Sequence, residues 1–204
     1  MHGNHTVGQI LGRRWEEYAQ DALARAGEDY PGRDRVVELF GEPEPFEAVV
    51  APFGQQWPGL AATTAAAMID PEQLAAEVLA RLQREEGTEG DAVSVMPRAC
   101  RSTDVPAIAD RHGLPECWSS DVEAMCTVLK SWEERFGTRV LALGPARLIV
   151  SVAAPPVTMT EAQAVAAEHF AFSPDTITQG HHDTLRAYAA HAILDRTVWN
   201  FWWD

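Results

Sequence analysis

Lysine is almost missing from this 204-residue chain. Lys130 is its one lysine among 16 basic residues, the rest being arginine, and 30 carboxylate residues bring the formal charge to −14. A nucleic-acid binder sets cations against phosphate. No basic patch occurs, so neither DNA nor RNA is expected as a ligand, nor is an anionic membrane surface. Cysteine is scarce too. Cys100, Cys117 and Cys126 form no CxxC pair, which signals neither a zinc knuckle nor a redox couple. No apolar run reaches the roughly 18 residues that a membrane helix needs, and Met1 to Trp15 lacks the apolar stretch of a secretion leader. A reduced, cytoplasmic protein is expected. The motifs GxSxG, GxGxxG, GxxxxGK[ST] and HEXXH are all missing, which argues against serine hydrolases, phosphate-cradling nucleotide enzymes and zincins. No cofactor is implied.

Apolar material, by contrast, is abundant. Hydrophobic residues make up 46% of the chain, with seven Trp and seven Phe, enough for a sizeable core. Residues 7–26 carry Leu11, Trp15, Tyr18 and Ala22 at helical spacing. Glu42-Pro43-Glu44-Pro45 breaks that helical region, and Phe46 to Phe53 reads as a strand. Asp70-Pro71-Glu72-Gln73 has the form of a helix start, with Asp as N-cap and Pro at the first position. Leu74, Val78 and Leu82 form the buried stripe of that helix. Glu85 to Gly90 is a loop, and Ala92 to Met96 a short strand. Ser120-Asp121-Val122-Glu123 reads as a capping box that opens the strongest helix, closed by Gly137. A hairpin follows around Gly144-Pro145. Thr158 to Glu161 is a second capping box, opening a helix to about Phe172. A further helix spans about 184–194, and Val198 to Trp203 alternates as a final strand. This order predicts an α/β or α+β fold: one domain, residues 46–204, with a mixed sheet flanked by helices, preceded by a helical N-terminal extension over 1–45.

Chemistry-bearing residues gather between 168 and 183. His169 falls on the inward stripe with Ala162, Val165 and Ala166, while Glu168 is expected on the opposite, outer side beside Glu161. His169, Asp175 and Gln179 form the candidate pocket, with Trp202 as an aromatic wall opposing Trp199, Phe201 and Trp203 on the last strand. An inward His beside a Pro-Asp turn suits a general base; it equally suits a core His that holds a carbonyl or carboxylate. His181, His182 and Asp183 are a metal-like cluster. Known ligand spacings are absent, and an exposed loop with Asp183 capping the next helix explains the same residues.

The segments Trp57-Pro58-Gly59-Leu60, Trp132-Glu133-Glu134-Arg135-Phe136-Gly137, Ala167-Glu168-His169-Phe170 and the terminal Phe201-Trp202-Trp203-Asp204 together resemble a bacterial family, domain of unknown function 4253. The likeness runs from about Pro52 to the end. It implies the fold and no activity. The chain departs from the family pattern at Ser173, where Cys is usual, and over Asp110 to Ser119. Any thiol nucleophile implied by the resemblance is therefore lacking here.

Two functional readings follow. In the first, the protein is a non-catalytic binding domain whose acidic surface engages a basic protein, an immunity-type, toxin-neutralising role being one form of it. In the second, it is a small hydrolase or metal-assisted enzyme using His169 with Asp175, or the His181/His182 pair.

Overall fold

In the computed structural model, the described residues are 5–26, 28, 31–41, 44–62, 69–85 and 95–204. The expected loop after Glu85 and the start of the strand predicted from Ala92 lie outside them. Helix α1 spans Val7–Arg25 and is opened by Thr6, whose hydroxyl accepts from the Gln9 amide while Gln9 answers the Thr6 amide. α2 (Arg33–Phe40) and α3 (Phe46–Val50) follow. The strand expected over Phe46 to Phe53 is thus a short helix and turn. Pro45 presets its entry, and Phe46 and Val50, both buried, lie four residues apart on one face.

Helix α4 (Pro71–Glu85) starts as its sequence predicts, with Asp70 Oδ1 accepting from the Glu72 and Gln73 amides at 3.0 and 2.9 Å. Strand β1 (Val95–Cys100) leads through a 3-10 turn to α5 (Val105–His112), α6 (Glu116–Ser119) and α7 (Val122–Phe136). Asp121, one residue beyond the expected Ser120, caps α7 by accepting from the Ala124 amide. Gly137 ends α7 at φ 62°, a left-handed conformation natural to glycine. Strands β2 (Arg139–Leu143) and β3 (Arg147–Ser151) form the expected hairpin. Helix α8 (Met159–Phe172) opens with the predicted Thr158–Glu161 capping box. α9 (Asp175–Thr178) and α10 (Leu185–Tyr188) come next, then a π-turn over Ala189–Ile193 and strand β4 (Val198–Trp202).

The four strands lie in the order β1-β2-β3-β4, and every pairing is antiparallel. The fold is α+β with one domain. The sheet predicted as mixed is wholly antiparallel, for a local reason. Ser151 at the end of β3 is the register partner of Val198 at the start of β4. The whole α8 to α10 excursion therefore leaves and re-enters the sheet at the same end, and the strand it returns must run backwards.

The sheet divides two cores. Val140, Leu143, Leu148, Val150, Trp199 and Phe201 point into the larger one, which α1, α7 and α8 complete. Leu141, Ala142 and Ile149 point the other way, against Leu74, Ala75, Val78 and Leu79 of α4. The register slips between Val140 and Ala142. That bulge is what lets the consecutive Leu141 and Ala142 both face α4. α1 is no bystander to the main core: Trp15 is fully buried, with its ring centroid 5.3 Å from that of Phe170 on α8.

Candidate functional site

Helix α8 carries the two buried titratable side chains nearest each other in sequence, Glu168 and His169. The helix is enclosed on nearly every side: from Val165 to Ser173 each residue is buried. A helix without a solvent face has no outer side for a carboxylate. Glu168, expected at the surface, is accordingly fully buried.

A charge in that position requires a full set of donors, and Glu168 has four. The Ala61 amide donates to Oε1 at 2.8 Å. Trp132 Nε1 donates to Oε2 at 2.8 Å. The guanidinium of Arg135 grips both oxygens, Nη1 to Oε1 at 2.8 Å and Nη2 to Oε2 at 2.6 Å, the forked geometry of a strong pair. Arg135 Nη1 also donates to the Ala61 carbonyl at 3.1 Å, and its Nε donates to Ser131 Oγ at 3.0 Å. Both backbone groups of Ala61 are thereby held, which fastens the loop after α3 to the core. Sequence reasoning missed this clamp. Its signal was the scarcity of charge along Ala162 to Phe172, where Glu168 is the one carboxylate: such a Glu needs a buried cation, and Arg135 stands between Trp132 and Phe136 on the strongest apolar helix.

His169 occupies the opposite environment. It points inward as its periodicity predicts and is fully buried. Its ring lies among Trp132, Trp199, Phe201 and Tyr188, with centroids 5.1, 4.5, 4.6 and 5.8 Å away. Nδ1 and the Tyr188 hydroxyl share a hydrogen bond of 3.0 Å, and Nε2 has no partner among the described residues. Burial lowers the His169 pKa well below 6.5, and the charge of Arg135 pushes the same way. The imidazole is neutral and shut away from solvent. Burial likewise pushes the Tyr188 phenol up.

The other sequence candidates do not meet it. Asp175 and Gln179 bond to one another across the single turn of α9, Gln179 Nε2 donating to Asp175 Oδ1 at 3.3 Å, with Asp175 half-buried and Gln179 exposed. Trp202 is on the outward face of β4, as its alternation predicts, and 38% exposed. Its backbone is what the neighbouring helices use. Ser173 Oγ donates to the Trp202 carbonyl at 2.8 Å, and the Trp202 amide donates to Thr176 Oγ1 at 2.8 Å. These hydroxyls stand in for a missing neighbour strand along the edge of β4. Ser173 is fully buried in this role.

The His181–Asp183 cluster also rearranges. Thr184, not Asp183, caps α10 by accepting from the Ala187 amide. The His182 ring stacks on His191 at 4.7 Å, and His182 is lowered in pKa first by desolvation and then by its two histidine neighbours. Among the described residues no three His, Cys, Asp or Glu side chains are disposed to hold one metal ion.

A third feature is open. Along α1 runs a groove of about 480 Å³ walled by Trp57. A Cβ at Gly12 would lie 3.1 Å from Trp57 Cδ1, so a larger residue there would press the indole away from the helix by a few tenths of an ångström.

No described helix is long and apolar enough to cross a membrane. Residues 93–204 match the family described as Domain of unknown function (DUF4253), and the chain belongs to that family. The match starts after the Trp57 segment and includes Trp132, Arg135, Glu168 and His169. No curated protein matches the chain, and no solved structure does.

Proposed function

We propose that this protein is a non-catalytic binding domain whose acidic surface engages a basic protein, with an immunity-type role as its specific form. The observation that carries the reading is where the opposite charges are used. Arg14, Arg135 and Arg139 are turned onto the chain's own groups: Arg14 onto the Ala171 and Cys117 carbonyls, Arg135 onto Glu168, Arg139 onto Glu72 and the Thr138 carbonyl. Glu16, Asp110, Glu116 and Asp204 are exposed, and none bonds through its side chain to another described residue. Surface carboxylates such as these are thus left uncompensated in a chain of formal charge −14, while Arg14, Arg135 and Arg139 serve its own groups. The polar groups of the Trp132 and Glu168 segments are engaged in internal bonds, apart from His169 Nε2, which is sealed in.

The catalytic alternative needs His169 beside Asp175, or His181 and His182 converging on one ion. His169 bonds Tyr188 instead, and His182 stacks on His191. The test is association of the immobilised protein with a cationic and an anionic protein of similar size at two ionic strengths. Binding to the cationic protein, at a rate that falls as salt rises, is expected. Salt-insensitive association, or a preference for the anionic protein, overturns the reading.

A further inference from the structure

We infer that the groove between α1 and Trp57 receives an arginine-bearing segment of the basic partner, one guanidinium lying over the Trp57 ring and pairing with Glu16. This rests on the reading that the partner is basic, and it names the surface and the side chain.

The groove follows one face of α1. Gly8, Gly12, Glu16 and Gln20 succeed one another four residues apart along it, and Trp57 rests on Gly12. Glu16 is therefore just over one helical turn beyond the indole contact, about 6 Å along the axis. The second row holds Arg13 and Glu17, which lean on each other at 3.8 Å with both side chains more than half exposed. Glu16 has no such partner among the described residues. The lining thus offers one uncompensated carboxylate next to an aromatic wall.

That wall is held in place from both sides. Trp15 Nε1 donates to the Gly54 and Gln55 carbonyls at 3.2 and 3.1 Å. The Arg135–Glu168 clamp holds the amide and carbonyl of Ala61. Trp57 lies between these anchors, and its ring meets that of Trp15 edge-on at 5.7 Å. A surface ordered before the partner arrives loses little freedom on binding. Of the cations available to a protein, guanidinium suits the place best: it is weakly hydrated, stacks flat on an indole and still presents N–H donors at its edge to a carboxylate. An acidic or purely apolar segment would leave Glu16 without a counterion.

The test is fluorescence anisotropy with a labelled oligo-arginine peptide at low salt. Wild type, Glu16→Gln, Trp57→Leu and Glu77→Gln are compared, the last lying on α4 across the sheet. Glu16→Gln and Trp57→Leu should each raise Kd by about three- to ten-fold. Glu77→Gln should change it by less than about two-fold. Circular dichroism checks that Trp57→Leu folds; should it not, Glu16→Gln decides alone, because its side chain is exposed and unbonded. Salt-dependent binding that is equal in all four proteins overturns the groove and leaves the acidic-surface reading standing. Failure of the wild type to bind the peptide overturns both.

Discussion

Glu168 and His169 are neighbours in sequence, equally buried, and solve the same problem in opposite ways. On the Glu168 side of α8 a charge persists in the core because four donors surround it, two of them from the forked Arg135 guanidinium. On the His169 side the charge is given up. Aromatic rings exclude water, the pKa falls, and a single hydrogen bond to Tyr188 remains. Trp132 belongs to both sides, donating through Nε1 to Glu168 while stacking on Phe201 at 5.3 Å and 7°. The contrast teaches that a buried polar residue need not be a site. What matters is whether any of its bonding capacity faces a place that another molecule can reach.

The contrast breaks hardest on the charged side. Glu168→Leu leaves the Arg135 guanidinium buried without its partner and should cost about 3–5 kcal/mol in denaturant unfolding. Adding Arg135→Met should recover much of that loss, because two apolar side chains can replace a buried pair. A double variant no more stable than the single would show that the clamp on Ala61, not the ion pair, is what matters. Trp132→Ala removes the residue shared by both sides and should also cost about 3–5 kcal/mol. A melting temperature within a degree of wild type would contradict the burial described.

The neutral side shows itself in pH. His169 has an ordinary pKa of 6.5 when unfolded and a lower one when folded. Below pH 6.5 the unfolded chain takes up a proton that the folded core refuses. Stability is therefore fully present above 6.5 and declines as pH falls towards the folded pKa, by at most about 1.4 kcal/mol per pH unit. His169→Phe should reduce that slope between 6.5 and about 5, leaving the smaller contribution of the more exposed His182. The carboxyl of Glu72, held down chiefly by Arg139, acts only at lower pH. An unchanged slope in the variant would mean that His169 is protonated in the fold. The smallest effect is expected at the edge of β4, where Ser173→Ala removes one hydroxyl bond to Trp202 and should cost about 1 kcal/mol by thermal unfolding. A loss of several times that would make the edge cap central to the fold.

Much of the secondary structure was legible because it rests on local chemistry. Asp70, Thr158 and Gly137 act on amides or dihedrals within a few residues of themselves, so their roles are written in short segments. The inward turn of His169 and the two faces of β4 follow from periodicity alone. The exceptions are local signals that compete: Phe46 and Val50 fit a helix face as well as a strand, and Ser120 and Asp121 are both good caps.

The sequence by itself determined most of the helices and strands, though not the helix at Phe46–Val50, and also that the chain is acidic and arginine-based and that His169 faces inward. Only the tertiary structure decided what Glu168 is. Arg135 is 33 residues away in the chain and Ala61 107 away, and no local pattern encodes such a meeting. The same holds for the Trp57 wall, which exists because Gly12 of α1 leaves room for an indole from a distant loop. Periodicity reports which way a side chain points. Whether it then meets a donor, an aromatic ring or open water depends on how whole elements pack, and that is fixed by the sum of many weak contacts between segments far apart in the chain.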